Sequence, residues 1–207
     1  MKMSRLAIVT DSTADLPDAL QRHHLITVVP IGVRIDENEN VTRTYAPAPE
    51  QFTAVFSELA ADFEGILAVL GSAKLGGMVA SAEAARASIE GSVPIEIVDS
   101  RSATMGLGWQ AVRAADLAAE GMSLPELADT IRGETDRYEV VFFVDTLEHL
   151  RRGGRLGRAA TLIGGALDLK PLLRIDEGQV VEQGTPAQIF DAPQHQRTRR
   201  FLSHLHG

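Results

Sequence analysis

Arg151, Arg152, Arg155 and Arg158 fall within eight residues of one another, and Gly153-Gly154 splits the run. In a chain of net charge −8 this cluster is a local reversal of sign. Guanidinium groups hold carboxylates and phosphates through paired N–H donors. Two adjacent glycines let the backbone come close to whatever they hold. A solvated, charged turn is the plain alternative. An uncharged stretch, Ala159 to Leu167, follows directly. Cations beside an apolar segment suit a ligand or partner with an acidic head and an apolar body.

A second set of reactive groups ends the short apolar runs: Thr10-Asp11-Ser12, Gly71-Ser72, Asp99-Ser100 and Asp145-Thr146. Carboxylates there could serve metal or acid–base chemistry, but aspartates in such places more often cap the following helix. A hydrolase using Ser12 or Ser100 would need a histidine beside the hydroxyl, and none has an evident place there. His195, His204 and His206 do not have zinc-site spacing. The chain contains no Gly-x-Ser-x-Gly elbow, His-Glu-x-x-His motif or phosphate-cradling glycine loop. Gly106-x-Gly108-x-x-Ala111 has dinucleotide-type spacing, but it lies several residues beyond its strand and reads as close helix packing. The chain is therefore read as a non-enzyme with no metal and no cofactor.

Bulk properties agree. With 207 residues, 44% hydrophobic and 23% charged, the chain can bury one sizeable core or two small lobes. Its acidity argues against general nucleic-acid binding. It has no cysteine, which removes disulfides and thiolate chemistry and fits a reducing compartment. No apolar run approaches the roughly 20 residues that span a bilayer. A cytoplasmic protein without stable membrane insertion is expected.

The elements that must position these groups alternate. Leu6 to Thr10 reads as a strand, with a helix beginning near Thr13 on the spacing of Ser12 and Asp15. Ile26 to Ile35 reads as a bent or edge strand broken by Pro30 and Gly32. Pro49 opens a helix with Phe52, Val55, Phe56 and Leu59 on one face. Strands at Gly65 to Leu70, Ile95 to Val98 and Val140 to Val144 alternate with helices at Gly76 to Ile89, Ala103 to Ala119 and Ser123 to Arg132. This order predicts an α/β fold, a mainly parallel sheet flanked by helices. Ligands in such sheets sit beyond the carboxyl ends of the strands. Asp176-Glu177-Gly178 reads as a hairpin turn.

Five motifs in order, VTDSTADLP at 9–17, VVPIGV at 28–33, APAPEQF at 46–52, IVDSRSATMGLG at 97–108 and DTLEHLRRGGRL at 145–156, resemble the DegV family of fatty-acid-binding proteins over residues 5–175. The resemblance implies a two-lobed architecture that encloses one long-chain fatty acid and presents its carboxylate to a separate fatty-acid kinase subunit. Thr44 falls where the family's TSQP segment supplies a carboxylate-binding threonine. The family's second anchor, a serine in an LSGTY-like helix start, corresponds to Gly76, which brings only a backbone N–H. Arg151, Arg152 and Arg155 would face the kinase, and Ala159 to Leu167 would line the acyl tunnel.

Residues 176–207 instead resemble the C-terminal end of polar amino-acid ABC transporter ATP-binding subunits, without any nucleotide-binding motif of that family. Within them, residues 185–207 carry three arginines and one aspartate. Two regions follow, a DegV-like 1–175 and a hairpin plus helical tail at 176–207. The second lobe would be truncated and substituted. A non-binding scaffold or decayed fusion is the alternative reading, supported by Gly76 and the foreign ending.

Overall fold

The computed structural model describes residues 6–35, 41–89, 93–143, 150, 152–155, 172–176 and 179–181. The chain divides into two compact units, Met1–Val140 and Val141–Gly207.

The first unit is built on a four-stranded sheet of β1 (Leu6–Asp11), β2 (Thr27–Val29), β5 (Gly65–Leu70) and β6 (Ile95–Asp99), in the order β2-β1-β5-β6. Every pairing within it is parallel. A parallel sheet needs cover on both faces, and the period-two alternation of its side chains supplies two apolar surfaces. Ala7, Val9, Ile66, Ala68, Leu70, Ile95 and Ile97 form one core with Phe52 and Phe56 of α2 (Pro49–Ala60) and Met78, Ala82 and Ala85 of α3 (Met78–Ser88). Ile8, Leu67, Val69 and Val98 face the other way. They meet Leu107, Ala111 and Leu117 of α4 (Thr104–Ala119) and Leu127 and Ile131 of α5 (Leu124–Glu134). The result is the expected α/β fold, a mainly parallel sheet flanked by helices.

Several expected boundaries move, each for a local reason. No α-helix begins at Thr13. Asp11, rather than Ser12, caps a single 3₁₀ turn over Ser12–Ala14, and Asp15 ends it in the left-handed region at φ 48. The helix α1 (Asp18–His24) starts only after Pro17. Pro30 splits the strand expected over Ile26 to Ile35. β2 stays in the parallel sheet, whereas β3 (Gly32–Ile35) leaves it to pair antiparallel with β4 (Val41–Tyr45). The ring of Tyr45 covers Gly32, the residue paired with it. The third helix begins at Met78, two residues after Gly76.

At α5 the Glu126 carboxylate accepts from the Ser123 hydroxyl at 2.5 Å and from its backbone N–H at 3.3 Å. Ser123 therefore sits at the N-terminus as its type and spacing suggest. Gly121, past the end of α4, has φ +92, which a glycine adopts without strain.

In the second unit, β7 (Val140–Phe143), β8 (Leu172–Asp176) and β9 (Gln179–Val181) form a three-stranded sheet in that order. β8 and β9 are antiparallel with Asp176 opposite Gln179. This is the expected hairpin, and its strands cross the 175/176 boundary. Asp145, Arg151, Arg158, the segment Ala159 to Leu167 and the tail beyond residue 181 lie outside the described residues. The expected truncation and substitution of a second lobe, and the ABC-like ending, concern mostly those residues.

Candidate functional site

The carboxyl ends of β1, β5 and β6 and the loops that follow carry a set of buried polar residues, Thr10, Asp11, Ser72, Ser100 and Ser102, and the buried Gln110 of α4 donates to the Ser100 carbonyl at 3.1 Å. Asp11 is fully buried and its two oxygens have separate duties. Oδ1 accepts from the Thr13 backbone N–H at 2.9 Å and the Thr13 hydroxyl at 2.5 Å. Oδ2 accepts from the Gly71 backbone N–H at 2.7 Å. Asp11 thus caps its own turn and also joins the loop after β1 to the loop after β5.

The loop after β5 is fixed from three directions. Asp11 holds Gly71. The Ser102 carbonyl accepts from the Ser72 N–H at 2.9 Å. Asp99 Oδ1 accepts from the Ala73 N–H at 3.2 Å and from the Arg101 N–H at 2.9 Å. Asp99 caps no helix, contrary to expectation, because α4 begins five residues later, at Thr104, with Ala103 in the capping position. Asp15, Arg101 and Thr104 have positive φ without being glycine. Backbone of that kind persists where surrounding bonds over-determine it.

From this anchored loop the chain turns into α3. The Ser72 carbonyl accepts from the Leu75 N–H at 2.9 Å and from the Gly76 N–H at 3.1 Å. The Gly76 N–H expected to face an anion is thus already engaged within the turn. A Cβ added at Gly76 would lie 2.8 Å from Met78 Cε and 3.0 Å from its Sδ. The Met78 side chain, buried at 6% exposure, takes the space next to that position.

Thr44 lies in β4 opposite Val33 and is half-buried. Two residues later, the Ala46 Cβ lies 3.3 Å from where a Cβ on Gly77 would be. That approach brings the segment Thr44-Tyr45-Ala46 alongside Gly76-Gly77 at the start of α3. The two residues singled out in the sequence therefore come from segments that touch. Gly77 has no side chain to hold them apart.

Arg152 and Arg155 belong to the second unit. Arg152 is exposed, Arg155 is half-buried, and the Arg155 N–H donates to the Leu150 carbonyl at 2.9 Å. Gly154 between them has φ +71, a conformation that favours glycine.

The other chemical options have structural answers. Ser12 Oγ accepts from the Ile31 N–H at 2.9 Å, and Ser100 Oγ from the Ser102 N–H at 3.1 Å. Neither is a serine–histidine pair. Gly106 and Gly108 lie inside α4. A Cβ on Gly106 would fall on Val140 Cγ2 and Ser102 Oγ, and one on Gly108 would sit 2.8 Å from the Ala14 carbonyl. They serve close packing, as read. Among the described residues no cluster of three or more histidines and carboxylates could hold a metal, and no helix is long and apolar enough to cross a membrane.

Met78 and the Asp11–Gly71 bond were not singled out from the sequence. A methionine directly after Gly76-Gly77 was the available signal for the first. The second joins residues 60 apart, which spacing does not reveal.

A parallel sheet covered on both faces by helices, with a tied polar loop at its carboxyl edge, defines an α/β module. The DegV family pattern, described as "Uncharacterised protein, DegV family", matches residues 35–185. A DegV domain-containing protein of Caldanaerobacter subterraneus subsp. tengcongensis is 34% identical over 198 residues, covering 86% of this chain and 70% of the relative. Among solved structures, a DegV family protein of Thermus thermophilus, described by its fatty-acid binding, superposes with a TM-score of 0.80 at 31% identity, covering 98% of this chain and 76% of that one. DegV of Bacillus subtilis, described as a fatty acid binding protein, gives 0.78 at 25% identity over 98% and 77%. The chain belongs to the DegV family.

Proposed function

We propose that this chain binds one long-chain fatty acid, its carboxylate beside Thr44 and the start of α3, and presents it to a separate fatty-acid kinase subunit that forms the acyl phosphate. The observation that carries the reading is the approach of Ala46 to Gly77, which joins the Thr44 segment to the α3 start. The relatives from Thermus thermophilus and Bacillus subtilis, described as fatty-acid-binding, support the ligand class. Burial of about 0.8 kcal/mol per methylene makes the acyl chain the main source of affinity. The Thr44 hydroxyl donates one hydrogen bond to the head. Gly76 gives close approach rather than a donor, since its N–H goes to Ser72.

Arg151, Arg152 and Arg155 are the partner-facing cluster, acting on encounter rate and salt dependence. The chemical step belongs to the kinase, so this chain acts as a carrier. The cysteine-free composition suits a cytoplasmic setting.

Titration of the delipidated chain with a long-chain acid is expected to saturate at one molecule per chain. Thr44→Val is expected to weaken binding by about ten- to a hundred-fold. No saturable binding would overturn the carrier reading in favour of a scaffold, the reading favoured by the engaged Gly76 N–H and the filled space beside it. Arg152→Glu with Arg155→Glu is expected to slow acyl-phosphate formation by an added kinase while leaving acid affinity unchanged. An unchanged rate would remove the partner role.

A further inference from the structure

Between the end of β5 and the start of α3, the backbone N–H groups from Gly71 to Gly76 are all engaged. Those of Lys74, Leu75 and Gly76 turn inward onto Ser72, the first to its hydroxyl at 3.2 Å and the others to its carbonyl. Ser72–Gly76 is thus one hydrogen-bonded turn, and Met78 opens α3 two residues beyond it. The N–H groups of Gly71, Ser72 and Ala73 instead reach outward, to Asp11, the Ser102 carbonyl and Asp99. These three bonds place the turn against the sheet.

Asp99 acts on two of them. Its Oδ1 accepts from the Ala73 N–H directly, at 3.2 Å. The same oxygen accepts from the Arg101 N–H at 2.9 Å, and Arg101 has a left-handed backbone, φ 52. A residue other than glycine stays in that region where its surroundings over-determine it. Next in the chain is Ser102, whose carbonyl receives the Ser72 N–H at 2.9 Å. One carboxylate oxygen therefore makes one tie and, through Arg101, aims another. Asp99 is the register partner of Leu70 in the paired strands, so its position is fixed by the sheet. Asp11, which holds Gly71, is fully buried, whereas Asp99 is half-buried. Replacing Asp99 removes ties without opening the core.

We infer that Asp99 is a positioning residue for the carboxylate end of the proposed site: it fixes the Ser72–Gly76 turn, and with it the start of α3 beside the Thr44 segment. The inference rests on the acyl-binding reading above and adds the residue that sets the geometry of its head end. Without Asp99 the turn loses its fixed place, so head contacts weaken while acyl contacts stay.

The test measures dissociation constants of dodecanoic, tetradecanoic and hexadecanoic acid by competitive displacement of a fluorescent acyl probe from the delipidated full chain. Wild type, Asp99→Asn and Asp99→Ala are compared. Both variants lose the same charge, but asparagine keeps an acceptor oxygen. Asp99→Ala is expected to weaken all three acids by about tenfold, and Asp99→Asn by less than about threefold. The gain per added methylene, about fourfold, is expected to be the same in all three proteins. General loosening of the fold would lower that gain. A loss in Asp99→Ala below about threefold, equal losses in both variants, or a smaller gain per methylene in Asp99→Ala would overturn the inference and leave acyl binding standing. Failure of the wild type to bind any of the acids would overturn both.

A second arm needs no variant. If the two ties position the head, a bound head stabilises the ties in return. Amide exchange of Ala73 and Arg101 in the wild type, followed by NMR, is expected to slow by at least about threefold on saturation with hexadecanoic acid. Unchanged exchange at both amides would overturn the role of Asp99.

Discussion

Asp11 and Gly71, 60 positions apart, are joined by a 2.7 Å hydrogen bond from the Gly71 backbone N–H to Asp11 Oδ2. That bond ties the ends of β1 and β5, the two strands that pair at the centre of the sheet. Replacing Asp11 by alanine would leave the N–H groups of Gly71 and Thr13 without acceptors. Each unsatisfied buried group costs about 1–3 kcal/mol. Asp11→Ala is therefore expected to lower unfolding free energy by about 2–5 kcal/mol in urea titration, and Asp11→Asn, which keeps one oxygen, by less. A change under about 0.5 kcal/mol would deny the bond its structural role.

Gly108 and Gly133 make opposite predictions for one substitution. A Cβ on Gly108 would press on the Ala14 carbonyl at 2.8 Å and on Leu16 Cδ1 at 3.1 Å, whereas nothing lies within 4 Å of one on Gly133. Overpacking costs about 1–3 kcal/mol and the helix preference for alanine returns up to about 1. Gly108→Ala should destabilise by about 0.5–2 kcal/mol and Gly133→Ala stabilise by up to about 1. Differential scanning calorimetry of the two variants should move the melting temperature in opposite directions.

Two carboxyl groups give stability opposite slopes with pH. The Ser123 hydroxyl and backbone N–H hold Glu126 below its ordinary value of 4.5. Its contribution is complete above 4.5 and is lost as pH falls from there through the lowered folded value. Burial raises Asp15 above its ordinary 3.8. The folded chain then binds that proton more tightly than the unfolded one, so its effect runs the other way. Stability falls as pH rises from 3.8 through the raised folded value.

Urea midpoints across the acid range should show the Glu126→Gln deficit shrinking on acidification. The Asp15→Asn advantage should be larger at neutral pH than below 3.8. Asparagine also tolerates the left-handed backbone at that position, so a pH-independent gain is expected on top. Parallel profiles for wild type and both variants would contradict these assignments.

The layered fold was legible because the short apolar runs of β1, β5 and β6, bounded by turn residues and separated by helix-length segments, and the helical spacing of Phe52 and Phe56 are local patterns. Pro49, Ser123 and Gly121 marked helix ends through their own chemistry. The 3₁₀ turn at Ser12 was not legible. Whether Ser12 or Asp11 caps a turn depends on Gly71, a partner from another strand. The sequence likewise offered Gly76 as a backbone donor, but Ser72, four residues earlier, takes that N–H. Thr44 and Gly76 were named on resemblance. That their segments meet is a tertiary fact, carried by the approach of Ala46 to Gly77.

The central claim is that the chain holds an acyl ligand. Solvent extraction of the purified protein followed by mass spectrometry tests it most directly. About one long-chain fatty acid per chain is predicted, retained through purification because buried methylenes each contribute about 0.8 kcal/mol. A folded chain that yields no lipid, and takes none up when a long-chain acid is supplied, would contradict the account.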